Sequence, residues 1–389
     1  MFKMPRRRRS LAALVALLAL VVGTFLASGT SPASAASTGR SAWIVVLKGE
    51  PSARSAAVAS QHAARYGAEV RYTYAHALNG YAAVVPDARI AQLRRDPAVA
   101  AVVRDGTAYA TTTQSNPPSW GLDRIDQRTL PLSSSYTYTS TGAGVTAYLL
   151  DTGINYAHTD FGGRAVFGFD AFGGDGTDCN GHGSHVSGTV GGTRYGVAKS
   201  VRLVAVRVLN CSGSGSWSGV IAGIDWVAGN HAAGAPAVAN MSLGGAANSA
   251  VDDAVARAVA DGVTFAVAAG NSTADACTQS PARTPSALTI AASDISDRPA
   301  SFTNFGSCVD WYAPGVNITS AWKGSTTASK TISGTSMASP HTAGVAALYL
   351  QTSPSASPAQ VESALRSLTT KDAIPDSRTA NNDLLFTNF

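Results

Sequence analysis

Apolar positions along this chain change their spacing three times, and each change marks a segment. Residues 11–26 form an apolar run, preceded by Lys3 and Arg6 to Arg9 and followed by the small residues Ala33, Ser34, Ala35 and Ala36. A basic start, an apolar middle and a small-residue end mark a secretory signal. A membrane anchor would want about 20 apolar residues, and this run gives way to Ser, Gly, Thr and Pro before reaching that length. Residues 1–36 are read as a signal peptide removed on export. No later stretch is long and apolar enough to span a bilayer, so the mature chain is expected to be released.

The second segment reads as strand 42–47, an Ala-rich helix 53–66, strands 70–74 and 80–85, helix 90–95 and strand 99–103. This βαββαβ order is ferredoxin-like and makes residues 41–108 a small α+β domain. Residues 109–119 are Thr, Ser, Asn and Pro with almost no apolar position, which predicts an exposed linker. From Trp120 onward, residues 120–389, short apolar runs at 145–150, 201–208, 237–241, 263–268 and 288–292 alternate with helical stretches at 182–190, 216–233, 250–260 and 336–350. Such alternation predicts an α/β domain, a doubly wound and mostly parallel sheet with helices on both faces. Ligands then sit at the carboxyl ends of the strands. Residues 355–389 read as a closing helix and tail.

Composition adds two corrections. With 14% charged and 45% hydrophobic residues the chain is neither disordered nor a membrane protein. Its net charge of +5 suggests a nucleic-acid or anionic-surface partner, but the first 110 residues hold 14 Lys+Arg against 5 Asp+Glu and the rest 15 against 19. The basic excess belongs to the front, and no nucleic-acid partner is expected. Four cysteines, Cys179, Cys211, Cys277 and Cys308, are spaced too widely for the close pairs of a zinc site. Export permits disulfides, and four cysteines allow three pairings among which spacing does not choose.

Three segments place a polar residue where a buried strand or helix starts or stops. Tyr148-Leu149-Leu150-Asp151-Thr152-Gly153 runs a strand into a carboxylate. Aspartic proteases also use Asp-Thr-Gly, but they need a second matching carboxylate to share the proton, and the chain has no second Asp-Thr-Gly or Asp-Ser-Gly. Asn180-Gly181-His182-Gly183-Ser184-His185 sets two histidines three apart on a helix, without the Glu or third ligand of a zinc motif. A buried structural histidine is the plain reading of either alone. Glycines on both sides of His182 let the backbone pack closely and leave that imidazole facing a cleft. Finally, Ser333-Gly334-Thr335-Ser336-Met337-Ala338-Ser339-Pro340-His341 puts Ser336 at a helix start, where free N–H groups favour negative charge. An N-cap serine without chemistry is the alternative, and the pattern departs from the Gly-x-Ser-x-Gly elbow of α/β-hydrolases.

In chain order these are Asp, His and Ser, the order of subtilisin and not of chymotrypsin. With Ser242-Leu243-Gly244-Gly245 and Ala268-Ala269-Gly270-Asn271 they resemble the ordered motifs of the subtilisin-like serine proteases. Trp120-Gly121-Leu122-Asp123-Arg124-Ile125-Asp126-Gln127 and Asp178-Cys179-Asn180-Gly181-His182-Gly183 narrow the resemblance to the proteinase K branch, most like the aqualysin-type secreted endopeptidases. It covers residues 111–389. Ser184 and Ser187 stand where the family usually has Thr and Ala.

The side chains then suggest a mechanism. A serine hydroxyl is a poor nucleophile at neutral pH, so Ser336 needs His182 to take its proton and pass it to the leaving amine, with Asp151 holding the imidazole's tautomer. The resemblance implies Asn271 and the Ser336 N–H as oxyanion donors. A glycan on the sequon Asn271-Ser272-Thr273 would block that cleft. By the same resemblance Gly213, Ser214 and Gly215 face Ser242, Leu243 and Gly244 as strands that sandwich an extended peptide. Ala268, Ala269, Gly270 and Gly244 would line an uncharged S1 pocket, which favours apolar or aromatic P1 residues, whereas a dibasic preference would want acids there.

The resemblance further implies that residues 41–108 are a propeptide, both chaperone and intramolecular inhibitor, self-cleaved within 108–115. No cofactor is expected for catalysis. Structural calcium is implied at Asp310 with the carbonyls of Pro285 and Ala287, and at Asp123, Asp126 and Gln127, where Ser133 replaces an Asp of some relatives. In the aqualysin-like pattern Cys179 pairs with Cys211 and Cys277 with Cys308. The expected product is a secreted, monomeric endopeptidase acting on proteins and peptides. The rival readings are an inactive relative that only binds protein, and a zinc hydrolase built on His182 and His185.

Overall fold

The computed structural model describes residues 39–106 and 112–389, so the signal segment and residues 107–111 lie outside it. The chain divides into two units, Met1–Ala108 and Tyr109–Phe389.

In the first unit β1 (Arg40–Leu47), α1 (Arg54–Tyr66), β2 (Glu69–Tyr74), β3 (Gly80–Pro86), α2 (Ile90–Leu93) and β4 (Val99–Arg104) follow the expected order. The sheet runs β2-β3-β1-β4 and is antiparallel throughout. Helix α1 buries Ser55, Ala59, His62 and Tyr66, one stripe at helical spacing, and ends on Gly67 in the left-handed conformation that relieves a terminal carbonyl. That stripe packs on Val45, Leu47, Tyr81, Ala83 and Val85 of the sheet.

The second unit begins with β5 (Thr112–Ser115), α3 (Trp120–Ile125) and β6 (Ser135–Tyr138). Strand β5 pairs antiparallel with β6, so the segment predicted as an open linker is anchored from Thr112 onward. Next come β7 (Thr146–Asp151), β8 (Ala165–Asp170), α4 (His182–Gly191), β9 (Arg202–Arg207), α5 (Trp217–Asn230), β10 (Ala237–Met241), β11 (Gly245–Ala246), α6 (Ser249–Ala260), β12 (Thr264–Ala268), β13 (Gln279–Ser280), β14 (Leu288–Ser293), β15 (Trp311–Pro314), β16 (Ile318–Ala321), β17 (Ser329–Ile332), α7 (Thr335–Thr352) and α8 (Pro358–Leu368).

Seven of these strands form one parallel sheet in the order β15-β14-β12-β10-β7-β9-β8. Alternation along each strand feeds two cores. Ala147, Leu149, Leu203, Ala205, Val238 and Ala266 pack with α4, α7 and α8 on one face. Tyr148, Leu150, Val204, Val206, Ala239 and Phe265 pack with α5 and α6 on the other. Both faces being covered, the central strands read as continuous apolar runs. The order reverses beside β7, whose last residue is Asp151, and that reversal opens the crevice where α/β sheets bind ligands. Among the described residues no helix is long and apolar enough to cross a membrane.

Candidate active site

Strand β7 ends on Asp151, which is fully buried and accepts the Thr152 N–H at 2.7 Å. Across the crevice His182 opens helix α4 and shares its Nδ1 proton with both Asp151 oxygens, at 2.8 and 3.0 Å. The imidazole is 24% exposed and the carboxylate 1%, so the ring is accessible and the group that orients it is not. Burial pulls the imidazole pKa down, but attraction to Asp151 and its hydrogen bond more than offset that, and the net shift is upward. This close approach explains the flanking glycines. A Cβ on Gly183 would lie 2.2 Å from the Gly153 carbonyl oxygen, and one on Gly181, at φ +109°, 2.3 Å from the Trp322 ring.

The segment leading into α4 is organised by Asp178, for which the sequence analysis made no role. Its Oδ1 accepts from Thr152 Oγ1 and from the N–H groups of Asn180 and Gly181, and its Oδ2 from the N–H and hydroxyl of Ser184. The family-specific Asp-Cys-Asn-Gly-His-Gly motif was the available signal. Ser184 and Ser187, the two departures from the family pattern, are buried and bonded, Ser187 to the Gly183 carbonyl.

Ser336 lies in the first turn of α7, and Pro340 sits four residues on. Proline has no N–H, so the Ser336 carbonyl loses its helical partner and instead accepts the Ser242 hydroxyl at 2.8 Å. Asn240 in turn donates to Ser242 Oγ and accepts from Ser339 Oγ. The Ser336 hydroxyl donates to the Ser242 carbonyl at 3.2 Å and is not turned to His182. Asn271 Oδ1 accepts from both the N–H and the hydroxyl of Thr335, at 2.8 and 3.0 Å, which leaves its Nδ2 as the outward donor. A Cβ built on Gly334 would lie 3.6 Å from that Nδ2 and 3.6 Å from the Ser336 N. Both donors therefore face one point in front of Gly334, where glycine leaves room.

His182, Asn271 and Ser336 line one cleft of about 740 Å³ together with Gly213, Ser214, Gly215, Ser242, Leu243, Gly244, Ala268 and Gly270. Ala269 does not line it; its side chain is fully buried with Ala276, Ala282 and Tyr312 behind the wall. Leu209, Trp217, Val220 and Gln279 line the cleft and were missed, because they come from segments without a motif. His185 is not part of the site. Its Nε2 donates to the Ile318 carbonyl, and burial lowers its pKa to about 3. Two histidines facing apart cannot share a zinc ion, and among the described residues no cluster of three or more His, Cys, Asp or Glu is suited to a metal. Disulfides join Cys179 to Cys211 and Cys277 to Cys308.

The two sequence-predicted calcium positions differ in fit. At Asp310 one oxygen accepts the Thr289 N–H and the other the Arg366 guanidinium, so a cation beside the carbonyls of Pro285 and Ala287 would have to displace Arg366. The guanidinium, and not the oxygen donor set, stands against an ion there. At the other position Asp123 accepts three hydrogen bonds from Ser133 and Ser134, and the Gln127 oxygen accepts from the Ser133 N–H. Asp126 Oδ1, however, is buried with no partner, and burial, with Asp123 beside it, raises that carboxyl to about 6. A hard cation would satisfy this orphan, and oxygen donors suit one.

Residues 142–385 match the Subtilase family, and residues 42–111 match Peptidase inhibitor I9. An extracellular serine proteinase of Thermus sp. (strain Rt41A) is 56% identical over 326 residues, covering 83% of this chain and 79% of the relative. Alkaline serine exoprotease A of Vibrio alginolyticus is 51% identical over 329 residues, 82% of this chain and 61% of the relative. The crystal structure of a cold adapted subtilisin-like serine proteinase, 55% identical, superposes with a TM-score of 0.68 over 71% of this chain and 100% of that one. The chain belongs to the subtilase family of serine proteases, with an inhibitor I9 unit ahead of its protease unit.

Proposed function

We propose that the chain is the precursor of a secreted serine endopeptidase that hydrolyses peptide bonds through Asp151, His182 and Ser336. The observation that carries this reading is the convergence, on one cleft, of a histidine oriented by a buried carboxylate, a helix-start serine and the two N–H donors in front of Gly334. As substrate enters, the Ser336 hydroxyl turns from Ser242 to His182 Nε2, gives up its proton and attacks the carbonyl carbon. Free-state geometry of this kind commonly tightens only in the complex. Asn271 Nδ2 and the Ser336 N–H receive the oxyanion, the imidazolium returns the proton to the leaving amine, and water repeats the sequence on the acyl-enzyme.

The cleft is lined by no Asp, Glu, Lys or Arg side chain, and Leu209, Trp217 and Val220 add apolar surface, which supports an apolar or aromatic P1 preference. The extracellular naming of the Thermus relative supports export, as does the basic-then-apolar leader. The inhibitor unit acts on its own protease. Because β5 begins at Thr112, a cut that spares it falls within 108–111, narrower than the 108–115 window. Asp123, Asp126 and Gln127 hold a structural calcium ion that neutralises buried charge and takes no part in the chemistry. Calcium added to the metal-free protein should raise Tm in the natural chain and not in Asp126→Asn, measured by calorimetry; equal gains would place the ion elsewhere.

The test of the catalytic reading is a fluorophosphonate probe with mass mapping. Labelling at Ser336, together with cleavage of a peptide library after aromatic or aliphatic residues, is expected. A folded, unlabelled chain would make it a binding protein instead.

A further inference from the structure

We infer that Asn304 is a positioning residue for Asn271 and for the S1 wall beside it, an assignment that rests on the oxyanion role proposed above for Asn271. Asn304 is fully buried, and all three of its side-chain hydrogen bonds land on one short segment. Its Nδ2 donates to the Ala269 carbonyl at 2.9 Å, and its Oδ1 accepts the N–H groups of Ser272 and Ala274 at 2.9 and 3.0 Å. Its own N–H donates to the Gly270 carbonyl at 2.9 Å. The backbone is thus gripped on both sides of Asn271. The amide lies flat on Gly270, where a Cβ would meet Asn304 Nδ2 at 2.3 Å.

Two grips therefore set the oxyanion donor. Thr335 fixes the Asn271 amide from the α7 side, and Asn304 fixes the backbone that carries it. Asn304 is itself seated on the sheet, because the hydroxyl of its neighbour Thr303 accepts the N–H of Ala292 in β14. The two ends of its amide serve different tasks. The oxygen holds Ser272 and Ala274 next to the donor, while the nitrogen holds Ala269, next to the S1 residues Ala268 and Gly270. Displacing an oriented group by about 1 Å costs on the order of 10²-fold in rate.

The test is a double-mutant cycle with Asn271→Ala, with kcat expressed per fluorophosphonate-labelled site so that misfolded chains do not count. Asn304→Ala should lower kcat about 10- to 100-fold in the natural background and by less than about 3-fold when Asn271 is already Ala. Asn304→Asp keeps the two accepted bonds but sets an oxygen against the Ala269 carbonyl. It should raise KM for aromatic P1 substrates while keeping most of kcat, and it carries the test if the alanine variant does not fold. Additive costs in the cycle, or equal kcat losses for Asn304→Asp and Asn304→Ala, would overturn the assignment. If Asn271→Ala alone leaves turnover unchanged, the oxyanion reading fails and this one with it; additivity after a large Asn271→Ala loss overturns this one only.

Discussion

The inhibitor unit covers its four-stranded antiparallel sheet with a single core of 11 buried side chains, whereas the protease unit covers both faces of a seven-stranded parallel sheet with clusters of 38 and 19. The smaller unit has no cysteine and carries a polar group in its centre: His62 Nδ1 meets the Tyr81 hydroxyl at 2.7 Å, and Tyr66 donates to Asp96 at 2.7 Å. In the larger unit buried Asp151, Asp178 and Asn240 belong to the site, and two disulfides brace the segments carrying His182 and Asn271. A domain of the smaller size buries only about 60% of its chain surface and is correspondingly marginal. One unit thus rests on a two-faced core and two disulfides, the other on a single small core.

That contrast is broken most sharply by removing the nucleophile. Ser336→Ala should reduce hydrolysis by about 10⁶-fold, the scale known for subtilisin, and should leave the two units covalently joined. Gel analysis of the purified variant with no other protease present checks this, and maturation would take Ser336 out of the mechanism. Asp151→Asn comes next, with kcat expected to fall about 10⁴-fold. A catalytic base must be neutral, and Asp151 raises the His182 pKa, so activity should be lost as pH falls through a value above the ordinary one for histidine. Without that carboxylate the acid limb of kcat/KM should move to lower pH; an unmoved limb would assign it to another group.

Reduction separates the units by stability. Each bridge closes a loop of 32 or 31 residues, worth roughly 3 to 4 kcal/mol in the chain-entropy model. Peptide-resolved hydrogen exchange on the Ser336→Ala precursor should show reductant speeding exchange around residues 179–211 and 277–308 and leaving residues 40–104 unchanged. Loss of protection in both units together would mean that they unfold as one.

Much of this organisation is legible in the sequence, for uneven reasons. Central strands such as β7, β10 and β12 are buried on both faces and stand out as apolar runs. The edge strand β8 mixes exposed and buried positions, the other edge, β15, ends on Pro314, and β5 is a Thr-rich ribbon edge, so none offers such a run. At the site, Asp151, His182 and Ser336 stood out because each is a polar residue at the end or start of a buried element, with glycine close by in the chain. The roles of Asp178 and Asn304 were less legible, because both act largely by accepting backbone N–H groups, which leave little mark in a sequence, and only a family motif signalled Asp178. Ala269 shows the converse error: a motif neighbour was assigned to the cleft although its side chain points into the core.

The smallest expected effect lies in the inhibitor unit. Tyr66→Phe removes the hydroxyl that donates to Asp96 and leaves the packing intact. That bond holds the Asp96 carboxyl below the ordinary aspartate value, against an opposing push from burial. A carboxylate with a lowered folded-state pKa contributes stability above its unfolded value and loses it as pH falls through the folded one. A hydrogen bond to a charged group is worth about 1.5 to 3 kcal/mol, so at pH 7 the variant should lose about that much in residues 40–104 alone. At acid pH, below the lowered folded-state pKa of Asp96, the difference from the natural chain should shrink. Hydrogen exchange at both pH values, corrected for intrinsic rates, reads this directly. An equal loss at the two would mean that Tyr66 supports the unit by packing and not through Asp96.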